Sequence, residues 1–235
     1  MANEETGPKT VVVLGVARSG TSMASGLLHF LGVNMSPSNN PGFQNPKGSF
    51  EDIAFIKITT DIARTINQKT YDKTAKRKFL TQLKEVIKNR EDRCRQQKNR
   101  AWGWKSALTH HAMELMHPLL HSPYLIIVFR NPLDNARSWK LHKRLNYGEN
   151  VTIEKALSVV SDNVQDIVSV AKRFSDIPRH YTTYEQIKSR PVQEAKKMAQ
   201  FLELECGEDV QEKVREFIMP NYSTLTQKPP QKDAT

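Results

Sequence analysis

VVVLGVARSGTS, residues 11–22, is the stretch whose reading decides the fold. Four apolar, mostly β-branched residues (Val11, Val12, Val13, Leu14) read as a buried strand. Gly15 opens a tight turn, and Thr21 and Ser22 begin an amphipathic run, MASGLLHFLGV. A strand, a glycine turn and a helix together aim backbone N–H groups and the positive end of a helix dipole at a phosphate-like anion. The spacing, Gly15-x4-Gly20-Thr21-Ser22, nearly satisfies the nucleotide pattern G-x4-G-K-[ST]. Threonine stands where that pattern has lysine, and a cation, Arg18, sits earlier in the loop.

A loop serving ATP or GTP needs the lysine, a hydroxyl for Mg²⁺ and usually an acidic residue at a strand end for the metal. The other strand-like runs are 101–105 (AWGWK), 124–129 (YLIIVF) and 179–183 (RHYTT), and none ends in Asp at that position. The loop therefore reads as built for a phosphate-like group without a metal-bound triphosphate. A glycine turn with no ligand is the bland alternative, disfavoured because RSGTS gathers donors, a cation and hydroxyls. A second anion site follows the apolar run 124–129. Arg130-Asn131-Pro132 opens a helical pattern with Pro in its first turn. Arg130 then sits at the C-terminal edge of the sheet, where ligands bind in open α/β folds. Ser138 lies eight residues on, roughly two helical turns.

In order and spacing these residues resemble the sulfotransferases that use 3'-phosphoadenosine 5'-phosphosulfate (PAPS). Arg18-Ser19-Gly20-Thr21-Ser22 resembles their phosphosulfate loop. Arg130-Asn131-Pro132 with Ser138 resembles their 3'-phosphate element. Tyr184-Glu185 and the helical run closing at Phe201-Leu202 resemble their C-terminal part. The segment Asn45-Pro46-Lys47-Gly48 to Glu51, and Trp102-Gly103-Trp104-Lys105, are similar to bacterial-type members. The likeness spans about residues 10–205. Two departures stand out: Ser106-Ala107 replaces the Asp-Pro that often follows the lysine, and the C-terminal Arg-Lys-Gly element of animal cytosolic enzymes is not visible.

The resemblance implies metal-independent, in-line sulfuryl transfer from PAPS, leaving adenosine 3',5'-bisphosphate (PAP), to a hydroxyl or amine of a small-molecule or glycan acceptor. It implies that Arg18, Ser19, Gly20, Thr21, Ser22, Arg130, Ser138 and Tyr184 hold the donor. Arg18 and Lys105 are the expected catalytic cations. The expected base is Glu51, which follows a 17-residue stretch (34–50) holding 12 Asn, Pro, Gly or Ser; loops this long in compact domains are often functional. Its rivals are His110 and His111, since other branches of the family use a histidine shortly after the lysine strand. His29, His117, His121, His142 and His180 have no motif context and read as structural. Two other readings stay open: a small-molecule kinase using Mg-ATP, and a non-catalytic nucleotide-binding relative.

Composition sets the bounds. The 235 residues suffice for one domain with a full core. Two cysteines, Cys94 and Cys206, have no metal spacing and suggest a reducing compartment. No signal-peptide pattern and no apolar run of membrane-spanning length is seen, so a cytoplasmic protein is expected. The net charge of +10 is uneven: residues 73–100 hold eleven Lys/Arg against three acids. Phe79, Leu80, Leu83, Val86, Ile87 and Cys94 recur there at helical spacing, which predicts an amphipathic helix with a basic outer face. That face is either solvated or a wall attracting anions. No nucleic-acid module accompanies it. Neither the acceptor nor the oligomeric state is encoded in a motif.

Along the chain the pattern predicts strand 10–15, helix 21–32, loop 34–50, helix 51–67, basic helix 74–98, strand 101–105, helix 108–118, strand 123–129 and helix 132–143. Helix 152–174, strand 179–183, helix 191–203 and helix 208–218 follow. Alternating strands and helices predict an α/β, three-layer P-loop-like fold with a central parallel sheet flanked by helices. One domain is expected over 10–218, with a flexible N-terminus at 1–9 and a loose tail at 219–235.

Overall fold

The computed structural model describes residues 7–35 and 48–218. Most of loop 34–50, the first six residues and the tail 219–235 lie outside the described residues. Among the described residues five strands form one sheet: β1 (Lys9–Gly15), β2 (Val33–Asn34), β3 (Ala101–Lys105), β4 (Pro123–Phe129) and β5 (Arg179–Thr183). The order is β2-β3-β1-β4-β5, and every pairing is parallel. The described helices are α1 (Thr21–Phe30), α2 (Ile53–Asn67), α3 (Lys73–Gln96), α4 (Thr109–Met116), α5 (Pro132–Tyr147), α6 (Ile153–Arg173), α7 (Tyr184–Ser189), α8 (Pro191–Leu202) and α9 (Glu208–Phe217).

The central strands are buried on both faces, which is why they read as continuous apolar runs rather than alternating ones. Val12 and Leu14 of β1, Trp102 and Trp104 of β3, and Leu125 and Ile127 of β4 face one core, shared with α2 to α6. Val11, Val13, Ile126 and Val128 face the other, shared with α1, α8 and α9. Phe55 of α2 stacks on Trp104 at 4.2 Å between ring centres and 6° between planes. This two-faced burial makes the three layers.

Several boundaries differ from the sequence pattern. β1 begins at Lys9, whose N–H bonds the Arg100 carbonyl at 3.0 Å. α2 begins at Ile53 rather than 51, because Asp52 is its N-cap and its Oδ1 accepts from the Ala54 N–H at 3.0 Å. α5 runs on to Tyr147 and stops at Gly148, whose φ of 69° reverses the chain. β2 and α7 were not foreseen. β2 is two residues long, too short to show a period. α7 is six residues long, but a capping box between Thr183 and Gln186 marks its start. α3 matches its expected amphipathic form, burying Phe79, Leu83, Ile87 and Cys94. Among the described helices none is long and apolar enough to cross a membrane.

Candidate active site

β1 lies between β3 and β4: the chain leaving β1 runs to β2 on one side and, after β3, crosses to β4 on the other, so a crevice opens at the C-terminal end of β1. Ligands bind at such switch points. The register places Lys105 of β3 beside Val13 and the end of β4 beside Gly15. Thr183, the last residue of β5, pairs with Phe129. The strand-end residues singled out by sequence therefore share one sheet edge. They line a cleft of about 370 Å³ that includes Arg18, Ser22, Glu51, Lys105, Arg130 and Tyr184.

The loop after β1 is a tight turn closed by the Ser19 N–H on the Val16 carbonyl at 2.9 Å. Its third residue, Arg18, sits at φ 72°, a place where Gly or Asn is usual. A non-glycine residue held there costs about 1–3 kcal/mol, and such strain clusters at ligand clamps. Gly20, at φ 96°, is the N-cap of α1. A Cβ on it would stand 2.8 Å from Cδ2 of Tyr184, so the residue must be glycine for two independent reasons. Gly15 is equally constrained: a Cβ there would meet the Ser19 Oγ at 2.6 Å and the Val128 carbonyl at 2.8 Å. α1 thus starts with first-turn N–H groups that no helix can satisfy internally, aimed at the cleft.

Arg130 is fixed by backbone and ring. Its Nη1 donates to the Arg18 carbonyl at 3.0 Å, and its guanidinium lies 4.1 Å over the Tyr184 ring. Its Nε is buried without a partner among the described residues. The next residue ties the same two strand ends, because the Asn131 N–H donates to the Glu185 Oε1 at 3.1 Å. Ser138, on α5, is buried and does not line the cleft. Its hydroxyl accepts from the Arg18 Nε at 3.4 Å. The structure thus brings Ser138 to Arg18, whose left-handed turn carries that side chain to α5.

Lys105 is buried at the end of β3. Its Nζ stands 2.8 Å from the Glu51 carboxylate and donates to the Ser22 hydroxyl at 3.1 Å. Burial pushes its ammonium below the ordinary lysine range; Glu51 opposes this and Arg18 adds to it. Beside Glu51, Asp52 is buried and takes two bonds from Arg90 of α3, at 2.5 and 3.1 Å.

His110 and His111 do not line the cleft. They lie on α4, and burial first, then His111, drives His110 down to about 3. A histidine set aside as structural does line it: His142 of α5. It lies four residues after Ser138, on the same helix face, and that spacing is the signal by which sequence reading could have found it. Burial, then Arg18 and Lys143, lower its pKa while Glu51 raises it, which favours neutral imidazole. Its tautomer follows from Asn146. That amide nitrogen donates to the His142 carbonyl at 2.9 Å and lies 2.9 Å from the His142 Nδ1. The carbonyl fixes which amide atom is nitrogen, so Nδ1 accepts and Nε2 carries the hydrogen. His142 is a neutral N–H donor at the cleft wall.

Comparison with known proteins agrees with this architecture. The family described as the sulfotransferase domain matches residues 8–231. The sulfotransferase domain of the Synechococcus PCC 7002 olefin synthase is 15% identical, with 97% of this chain and 86% of that one covered and a TM-score of 0.58. The sulfotransferase domain from the curacin biosynthetic pathway is 17% identical, with coverages of 86% and 76% and a TM-score of 0.54. A retinol dehydratase solved with retinol and PAP is 13% identical, with coverages of 91% and 65% and a TM-score of 0.50. At such identities the likeness is one of fold. Among curated proteins none matches the chain. The match over residues 8–231, on a parallel sheet whose strand ends gather Arg18, Lys105 and Arg130, means that this chain belongs to the sulfotransferase family.

Proposed function

We propose that the chain transfers a sulfuryl group from PAPS to a hydroxyl or amine of a small-molecule or glycan acceptor. One observation carries the reading: among the described residues that line the cleft, three cations, Arg18, Lys105 and Arg130, stand with the first turn of α1 against one carboxylate, Glu51. Such a cleft demands an anion, and the buried Nε of Arg130 is a donor awaiting an acceptor. The retinol dehydratase that shares the fold was solved with PAP, the desulfated donor.

The loop N–H groups, Thr21 and Ser22 receive the 5'-phosphosulfate, and Arg130 receives the 3'-phosphate. Ser138 steadies Arg18, and Tyr184 steadies Arg130. Glu51 takes the proton of the acceptor as its oxygen or nitrogen attacks sulfur. The bond from sulfur to the bridging phosphate oxygen breaks as the new one forms, in line, and Arg18 with Lys105 balances the charge left on the phosphate. Lys105 touches both Glu51 and Ser22 and so links the base to the donor loop. The Nε2–H of His142 donates to an oxygen of the group in transfer.

The test is calorimetric titration of the full chain with PAP, with and without Mg²⁺, and separately with Mg-ATP, followed by transfer from sulfur-35-labelled PAPS to a panel of alcohols, amines and sugars. Binding of PAP without metal, lost in Arg130→Ala, supports the reading. Binding of Mg-ATP alone overturns it in favour of a kinase. PAP binding with no transfer to any acceptor class favours a non-catalytic relative.

A further inference from the structure

A second cluster of chemistry-bearing side chains lies outside the cleft, where α4 meets α6. His110 and His111 of α4 and Asp166 of α6 each offer one ligand atom, all within 4.8 Å of one another. The His110 Nε2 is buried and has no hydrogen-bond partner among the described residues. It faces the Asp166 Oδ2 at 3.9 Å, too far for a hydrogen bond. The His111 ring lies 4.0 Å from that of His110, inclined at 45°.

We propose that His110, His111 and Asp166 form a site for Zn²⁺ or a similar borderline divalent cation. Two imidazoles and a carboxylate suit zinc and disfavour Mg²⁺ and Ca²⁺, which take oxygen ligands. Two donors on one tetrahedral zinc, each at about 2.0–2.1 Å, stand about 3.3 Å apart. The three atoms stand up to 4.8 Å apart, so binding draws them together, and Asp166, whose side chain is 55% exposed, is the freest of them to move. The exposed side leaves a fourth position for water. Bound there, the ion clips α4 to α6 and steadies the turn that carries Ala107 into the cleft. This site is separate from the sulfuryl-transfer cleft and does not depend on the donor assignment.

The test uses the full chain, purified without a polyhistidine tag, stripped with a chelator and titrated calorimetrically with ZnCl₂. Thermal melts with and without zinc run in parallel. The expected result is one saturable equivalent and a zinc-dependent rise in melting temperature. Asp166→Asn and His111→Gln, which touch the less buried ligands and so spare the fold, should each weaken binding at least about 10-fold. Absence of a one-equivalent isotherm overturns the proposal. So does a smaller loss in both variants, or binding that Cys206→Ser abolishes while both variants keep it.

Discussion

The guanidinium of Arg130 lies 4.1 Å over the ring of Tyr184 and donates through Nη1 to the carbonyl of Arg18. Three separate chain segments meet in that contact: the end of β4, the end of β5 and the turn after β1. Tyr184 also packs against Gly20, the residue that starts α1. The ring therefore sets the positions of a cation and of a helix N-terminus together, and both point at the same cleft.

Removing the ring should loosen both. Tyr184→Ala is expected to weaken PAP about 10-fold, the scale of a partly desolvated cation–π contact. Tyr184→Phe, which keeps the ring, should bind PAP within about twofold of the parent. Calorimetry with PAP reads the difference. Equal loss in both variants would mean that the hydroxyl, and not the ring under Arg130, carries the effect.

The pair behind Glu51 is a matter of stability. Asp52 is buried, caps α2 and is gripped twice by Arg90 of α3. Asp52→Ala strands the Arg90 charge and removes the cap, at a cost of about 3 kcal/mol. For a chain of this size that lowers the melting temperature by about 10 °C. Asp52→Asn keeps an oxygen for the cap and should lose less. Scanning calorimetry checks the order: parent, then Asn, then Ala.

Much of this was legible in the chain, for identifiable reasons. β1 and β4 are buried on both faces, so they print as unbroken apolar runs, and each is followed at once by its cation-bearing loop. Gly15, Arg18, Gly20 and Arg130 were found because a strand end followed by a turn is a local pattern. Pairings between distant segments were not local. The Glu51 carboxylate meets Lys105 only because α2 packs on β3 through Phe55 and Trp104. Ser138 was expected to act with Arg130; its bond to Arg18 depends on the left-handed turn at Arg18, which no local pattern announces. His142 was passed over because its place at the cleft comes from a helix face, not from a motif.

The titration of Lys105 gives a pH signature. Its ammonium is the useful form, and burial lowers its pKa from the ordinary lysine value of 10.5. Because the charged form is lost as pH rises, kcat/KM should fall on an alkaline limb lying to the acid side of 10.5. Glu51 opposes the shift, so the residual activity of Glu51→Gln should show the limb displaced further to acid. Lys105→Arg cannot titrate in this range, and its profile should lose the limb. A limb unmoved in both variants would assign it to another group.

His142 separates two roles that a histidine in such a cleft can take. The Asn146 amide makes Nδ1 an acceptor and leaves the hydrogen on Nε2, so the side chain donates and does not take a proton. Loss of a donor to developing negative charge costs about 100-fold in kcat, and that is expected for His142→Ala. Gln places an N–H near the position of Nε2 and cannot act as a base; His142→Gln should recover most of the rate. Burial and the nearby cations lower the His142 pKa from 6.5, and protonation below that value adds a hydrogen at Nδ1 while the Nε2–H stays, so a donor's contribution should hold as pH falls. Steady-state rates of the parent, Ala and Gln proteins across this range decide the matter. Gln as damaging as Ala, together with a parent rate that rises as the imidazole loses its proton, would make His142 the base and displace Glu51 from that role.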